Sequence, residues 1–254
     1  MAGHSKWANI KRQKARVDAV KGKIFTKISR EIIVAAKQGA DPEGNFQLRT
    51  AIDKAKAAGI PNDNIDRAVA KGSGKWGSEN STLEAIQYEG YGPNGVAILI
   101  EALTDNRNRT AADLRAALSK HGGNLGETGC VGWLFDQKGV VTLLPQGQRA
   151  SIDEEFLLDI CIEGGADTYE LTEVDEEPAA ELLTETTNLE QLSKFCQKQG
   201  YQVVQAEFRW IPQNTVEIVE PDQAKQLLKL MDVLEDLDDI QTVTANFEMS
   251  DELL

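Results

Sequence analysis

Lys6, Lys11, Arg12, Lys14, Arg16, Lys21 and Lys23 crowd the start of this chain, with Trp7 among them. Clustered cations neutralise successive phosphates of a nucleic-acid backbone, and an interleaved indole offers a face on which a base can stack. Lys27 and Arg30 continue the run, so the first thirty residues hold nine Lys or Arg and a single acid, Asp18. The whole chain nevertheless carries a formal net charge of −14. Residues 1–76 contain 16 bases against 7 acids, and residues 77–254 contain 11 against 34. Such segregation points to a basic, polyanion-facing module on an acidic body. The competing reading is a solvated basic face with no partner, but on such a face acids usually interleave. Spacing alone does not separate DNA from RNA. No helix pair with clear base-reading side chains stands out, so recognition of backbone or shape is expected over a strict sequence code.

Other chemistry is thinly represented. The two histidines, His4 and His121, lie in no His-x-x-x-His or Cys-x-x-Cys frame, so neither zinc nor another metal is expected, and no cofactor motif appears. There is no Gly-x-Ser-x-Gly elbow. Cys130 in "ETGCVGW" has the type of a nucleophile, although a small residue at a strand start fits it better. Cys130, Cys161 and Cys196 are far apart and odd in number, as in a reducing, cytoplasmic setting without a disulfide frame. Gly72-Ser73-Gly74-Lys75 imitates a phosphate loop, but Val69 and Trp76 stand where that motif needs Gly and Ser or Thr. The acidic run Glu235, Asp236, Asp238, Asp239 lacks the ligand order of a calcium loop and reads as a helix end with a solvated turn. Acids there oppose the helix dipole, which leaves their choice without an explanation at this level. "DNRNRT", residues 105–110, precedes a helix and suits either a phosphate at the helix N-terminus or a turn of capping residues. No catalytic residues are assigned. An enzyme with a site in the cleft between acidic α/β domains stands as the alternative, supported only by that loop and the acidic clusters.

The elements that would position the basic residues are legible as patterns. "KGKIFTKISREIIVAAKQG" sets Ile24, Phe25, Ile28, Ile32 and Ala35 on one helical face and Lys23, Lys27, Arg30 and Lys37 roughly opposite. "NFQLRTAIDKAKAAG" and "IPNDNIDRAVAKG" repeat the period, with Pro61 near a first turn. Residues 1–20 lack it and read as an arm. This gives a basic helical domain over 1–76. Beyond the linker "KGSGKWGSENST", strands are expected over "TLEAIQYEGYGPNGVAILIEALT", a helix after "DNRNRT" and a strand from "GCVGWLFD". Residues 138–210 then run β-α-β-β-α-β, a ferredoxin-like order. The strand, helix and strand after 210 would be orphans unless they rejoin the earlier set. The expected architecture is therefore α+β and multidomain: a three-helix domain followed by two α/β domains. One of these, 77–137 plus 211–254, is discontinuous, and the ferredoxin-like 138–210 is inserted in it. The longest apolar run, Val96 to Leu103, is interrupted by Glu101, and no secretory signal opens the chain, so no membrane partner is expected.

Four stretches, "MAGHSKWANIKRQKARVDAVKGKIFTKISREIIVAAKQGADPEGN", "LRTAIDKAKAAGIPNDNIDRAVAKGSG", "YEGYGPNGVAILIEALTDNRNRTAADLR" and "GGNLGETGCVGWLF", together resemble the YebC/PmpR family, and the similarity continues to "LEDLDDIQTVTANF". "MAGHSKW" at Met1 argues against a transit peptide. The resemblance implies a helical domain and two α/β domains, one inserted in the other. It also implies a non-enzymatic factor without a cofactor. Family members are described as DNA-binding transcriptional regulators, or as translation factors at the ribosome that ease difficult stretches such as proline runs, among them a mitochondrial translational activator of cytochrome oxidase. Binding is associated with the basic helical domain, so Lys11, Arg12, Lys14, Lys23 and Lys27 are the positions it carries over. The sequence departs from the family at "IKRQK", which lacks a His common after "IK", and at Cys130, where Ser is common. A nucleic-acid partner, DNA or ribosomal RNA, the ribosome itself and a monomeric, cytoplasmic state are the resulting expectations.

Overall fold

The computed structural model describes residues 18–74, 83–146, 151–174, 177–250 and 253, with side chains from residue 22 onward. Three helices open it: α1 (Asp18–Ala36), α2 (Phe46–Ala57) and α3 (Asn62–Gly72). Their apolar positions converge as the 3.6-residue period requires. Ile28, Ile32 and Ile33 from α1 meet Leu48, Ala51, Ile52 and Ala55 from α2 and Ile65 and Ala68 from α3. Each fully buried aliphatic side chain there stabilises the bundle by about 1.5–3 kcal/mol relative to exposure. Asn45 fastens the first corner. Its carboxamide oxygen accepts from Leu48 N–H to cap α2, while its Nδ2 donates to the carbonyls of Ala35 and Gly39, both at 2.8 Å.

The described chain divides into two compact units, Asp136–Ile211 and the chain on either side of it. In the latter, β1 (Glu84–Tyr91) and β2 (Ala97–Thr104) form an antiparallel hairpin running from Glu84↔Thr104 to Tyr91↔Ala97. After helix α4 (Arg107–Lys120), the two-residue β3 (Asn124–Leu125) pairs with β1. Gly90 is needed opposite it, since a Cβ there would lie 2.7 Å from the Asn124 carbonyl oxygen. From the far end of the sequence come β8 (Val216–Ile218), α7 (Pro221–Glu235), β9 (Ile240–Ala245) and β10 (Phe247–Met249). β9 joins the sheet antiparallel to β2, giving the order β3-β1-β2-β9. β9, from the terminal stretch, thus lies beside the early strand β2. β8 instead pairs in parallel with β10 as a separate two-stranded ladder. Ile98, Ile100, Leu114, Leu118, Leu227, Leu230 and Leu234 build the core beneath these elements. β3 and the helical turn Gly132–Leu134 were not legible, and the strand expected from Gly129 begins only at Phe135.

The second unit contains most of β4 (Phe135–Leu144), then α5 (Glu154–Gly164), β5 (Thr168–Val174), β6 (Glu177–Glu185), α6 (Leu189–Lys198) and most of β7 (Gln202–Pro212). Its sheet order, β5-β6-β4-β7, is that of a ferredoxin-like βαββαβ fold. Arg209 on β7 donates to Glu181 on β6 through two hydrogen bonds, 2.7 and 3.2 Å, across the intervening β4. The chain leaves the first unit after Phe135 and returns at Pro212, and beside these points the Gln213 N–H donates to the Leu134 carbonyl at 2.8 Å. No described helix is long and apolar enough to cross a membrane.

Candidate nucleic-acid interface

Lys6, Trp7, Lys11, Arg12, Lys14 and Arg16 lie outside the described residues, and Lys21 lies in α1 with its side chain outside them. Lys23, Lys27 and Arg30 are described. α1 brings them onto one stripe, as their spacing demands, and the stripe faces the C-terminal end of α7. Lys23 Nζ donates to the carbonyl and the Oδ1 of Asp236, both at 3.2 Å. Lys27 Nζ donates to the Glu235 carbonyl at 2.7 Å. Arg30 donates to the carbonyl of Asp238 at 2.5 Å, to Asp239 Oδ1 at 2.8 Å and to the Leu103 carbonyl at 3.3 Å. The acids that opposed the α7 dipole thereby gain an account: cations from another helix satisfy the carbonyls at that helix end and balance its charge. Lys37, in the turn just past the end of α1, donates to the Leu83 carbonyl.

Asp239 is the hub of this contact. It is buried, and its other oxygen, Oδ2, accepts from Arg109 (2.8 Å), Thr110 (2.8 Å) and Thr104 (3.1 Å). Burial pushes the carboxyl's pKa up, but the hydrogen bonds from Arg109, Thr110 and Thr104 and the charge of Arg30 outweigh it and hold the group below the usual range.

The "DNRNRT" loop resolves into capping. Asn106 Oδ1 accepts from Arg109 N–H, and Thr104 Oγ1 accepts from Asn106 N–H. Its arginines are engaged as well: Arg107 pairs with Glu84 at 3.2 Å, and Arg109 with Asp105 and Asp239. Of the two readings of that loop, the structure therefore favours the turn of capping residues.

A second polar centre escaped the sequence reading. Glu89, buried in β1, receives three backbone N–H groups of the "ETGCVGW" loop: Gly129 at 2.7 Å, Val131 at 2.7 Å and Gly132 at 2.6 Å. Burial raises the Glu89 pKa, yet the three donors prevail and keep it below its ordinary value. The only signal for this was an acid in the interior of a strand, with a glycine-rich loop elsewhere in the sequence. Cys130 sits in that loop, and burial and the Glu89 charge push its thiol pKa up, the opposite of an activated thiolate. Its carbonyl accepts from Tyr91 and from the indole of the exposed Trp133. Among the described residues, no group of three His, Cys, Asp or Glu is placed to hold a metal ion.

Comparison with known proteins agrees with this architecture. Residues 5–75 match the family model described as the TACO1/YebC protein N-terminal domain, and residues 83–247 match that of the TACO1/YebC second and third domain. A probable transcriptional regulatory protein of Gloeothece citriformis is 67% identical over 100% of this chain and 98% of its own length. One from Trichormus variabilis is 66% identical with the same coverage. Among solved structures, a conserved hypothetical protein of Aquifex aeolicus superposes with a TM-score of 0.83 at 42% identity, covering 94% of this chain and 95% of that one. The chain belongs to the TACO1/YebC family.

Proposed function

We propose that the protein is a non-enzymatic nucleic-acid-binding regulator of gene expression whose basic helical module contacts the phosphate backbone. The observation that carries this reading is the segregation of charge. Nine bases and one acid occupy the first thirty residues of a chain whose net charge is −14. Lys6, Lys11, Arg12, Lys14, Arg16 and Lys21 supply phosphate contacts and Trp7 a stacking surface, with Lys23, Lys27 and Arg30 extending the positive run along α1. Relatives named probable transcriptional regulatory proteins support a regulatory role. The capping role of the "DNRNRT" side chains weakens one of the two features on which the enzyme alternative rested.

Within this reading the target is duplex DNA for a transcriptional regulator, or ribosomal RNA for a factor that eases difficult synthesis. Binding is measured by anisotropy against labelled promoter duplexes and by co-sedimentation with ribosomes, each across a salt series. Affinity is expected to fall steeply with salt, by a log–log slope of about −0.9 for each phosphate neutralised on duplex DNA. Whichever target survives physiological salt identifies the working partner. Absence of binding to both would overturn the reading.

A further inference from the structure

At the contact between α1 and the end of α7, the cations of α1 meet oxygen acceptors of the kind a phosphate offers. Three cations meet carboxylates and backbone carbonyls spread along one turn, at the negative pole of a helix. We propose that the acidic turn Glu235–Asp239 is an internal competitor for nucleic acid. It occupies Lys23, Lys27 and Arg30 in the resting chain, and a polyanion gains those cations by displacing it. The proposal rests on the nucleic-acid reading of the basic module and names how that module is regulated.

Three features make the contact releasable. It is graded: the Lys23–Asp236 pair is half-exposed or more on both sides, with relative side-chain exposures of 46% and 75%, whereas Arg30 and Asp239 are at 20% and 8%. An outer pair of that kind is worth little and is screened by salt, so it opens first. Departure of Arg30 also leaves no stranded buried charge. Asp239 Oδ2 keeps Arg109, Thr110 and Thr104, and only Oδ1 loses its protein partner. Finally, the apolar cores of the helical bundle and of the sheet below α4 and α7 share no residue. Separation therefore breaks polar bonds that the phosphates replace, and splits no common core.

The test compares the full chain with D236N and with D236N/D238N, using a labelled DNA duplex and a labelled structured RNA as probes. D222N, at the opposite end of α7, makes the same charge change as D236N away from the contact. Relieving the competitor is expected to tighten binding by about three- to tenfold through a larger binding-competent fraction, while D222N leaves it unchanged. The salt slope steepens in the contact variants, because the polyanion then takes up cations that no acid had neutralised. Asp236 is exposed, so unchanged thermal unfolding checks that these variants are folded. An independent readout is amide exchange in the unsubstituted chain: adding the probe should speed exchange over 236–240. Equal affinity of wild type and D236N, equal tightening by D222N, or protection of that turn on binding would each overturn the competitor while leaving the nucleic-acid function in place. Failure of every form to bind either probe overturns both.

Discussion

Asp239 and Glu89 are two buried carboxylates held ionised by different means, one by arginines and hydroxyls and the other by three backbone N–H groups. Both have folded pKa values below their usual ones, so the sign of their linkage is the same. Each contributes stability that is complete above the unfolded value, about 4, and is lost as pH falls through the folded value. Urea midpoints are expected to hold through neutral pH and drop in the acid range below it. Glu89→Gln should remove part of that acid limb. It should also cost about 1.5–3 kcal/mol at neutral pH, because an amide turns an NH2 toward donors that need an acceptor. A substitution that leaves both the midpoint and its pH profile unchanged would show that the loop does not depend on Glu89. The carboxylate was invisible as a centre in sequence because its partners are main-chain groups, which carry no residue-type signature. Arg30 was visible as a charge, and its engagement with Asp239 was not.

At the scale of elements, the helical bundle follows from periodicity, and its tightest joint depends on one missing side chain. Gly72 closes α3 against α1 so nearly that a Cβ would stand 2.3 Å from the Ile33 carbonyl oxygen and 2.7 Å from the Ala36 Cβ. Gly72→Ala gains helix propensity yet is expected to destabilise, by about 1–3 kcal/mol, since backbone cannot yield as a side-chain tip can. Ile32, fully buried at the centre of the same bundle, should cost about 2–5 kcal/mol on truncation to Ala. Denaturant unfolding of each variant checks both, and a neutral or stabilising Gly72→Ala would refute the close-approach argument. Reading α1, α2 and α3 from sequence worked because their apolar positions recur at helical spacing with residues that cap or stop them. β3 and β10 were poorly legible for the converse reason. Two or three residues are too short to display an alternation, and their pairing partners lie far off in the chain.

At the scale of the whole molecule, Asp136–Ile211 forms one compact unit, and the chain on either side of it is joined by the Gln213 N–H to Leu134 carbonyl hydrogen bond. We propose that 138–210 is an independent domain and that 77–137 with 211–254 forms the domain that receives it. Replacing 138–210 with a short Gly–Ser linker is expected to leave a chain that unfolds cooperatively and keeps the β2–β9 pairing, as circular dichroism and amide exchange would report. A molten or aggregated product would refute the division. Deleting residues 1–17 from the intact chain should weaken nucleic-acid binding and flatten its salt slope without changing the unfolding midpoint. Equal binding by the shortened chain would move the interface elsewhere.

The sequence by itself determined the segregation of charge, the helical period of the opening module, the ferredoxin-like order of 138–210 and the family to which the chain is similar. These are local or compositional properties, written in residue type and spacing. Only the tertiary structure decided which acids meet which bases. Charge attracts at any separation along the chain, but a hydrogen bond needs two groups within about 3 Å, and only the fold brings residues 30 and 239 that close. The basic stripe of α1 was legible as a surface seeking anions. That Asp236, Asp239 and the carbonyls at the end of α7 already occupy it belongs to the fold alone.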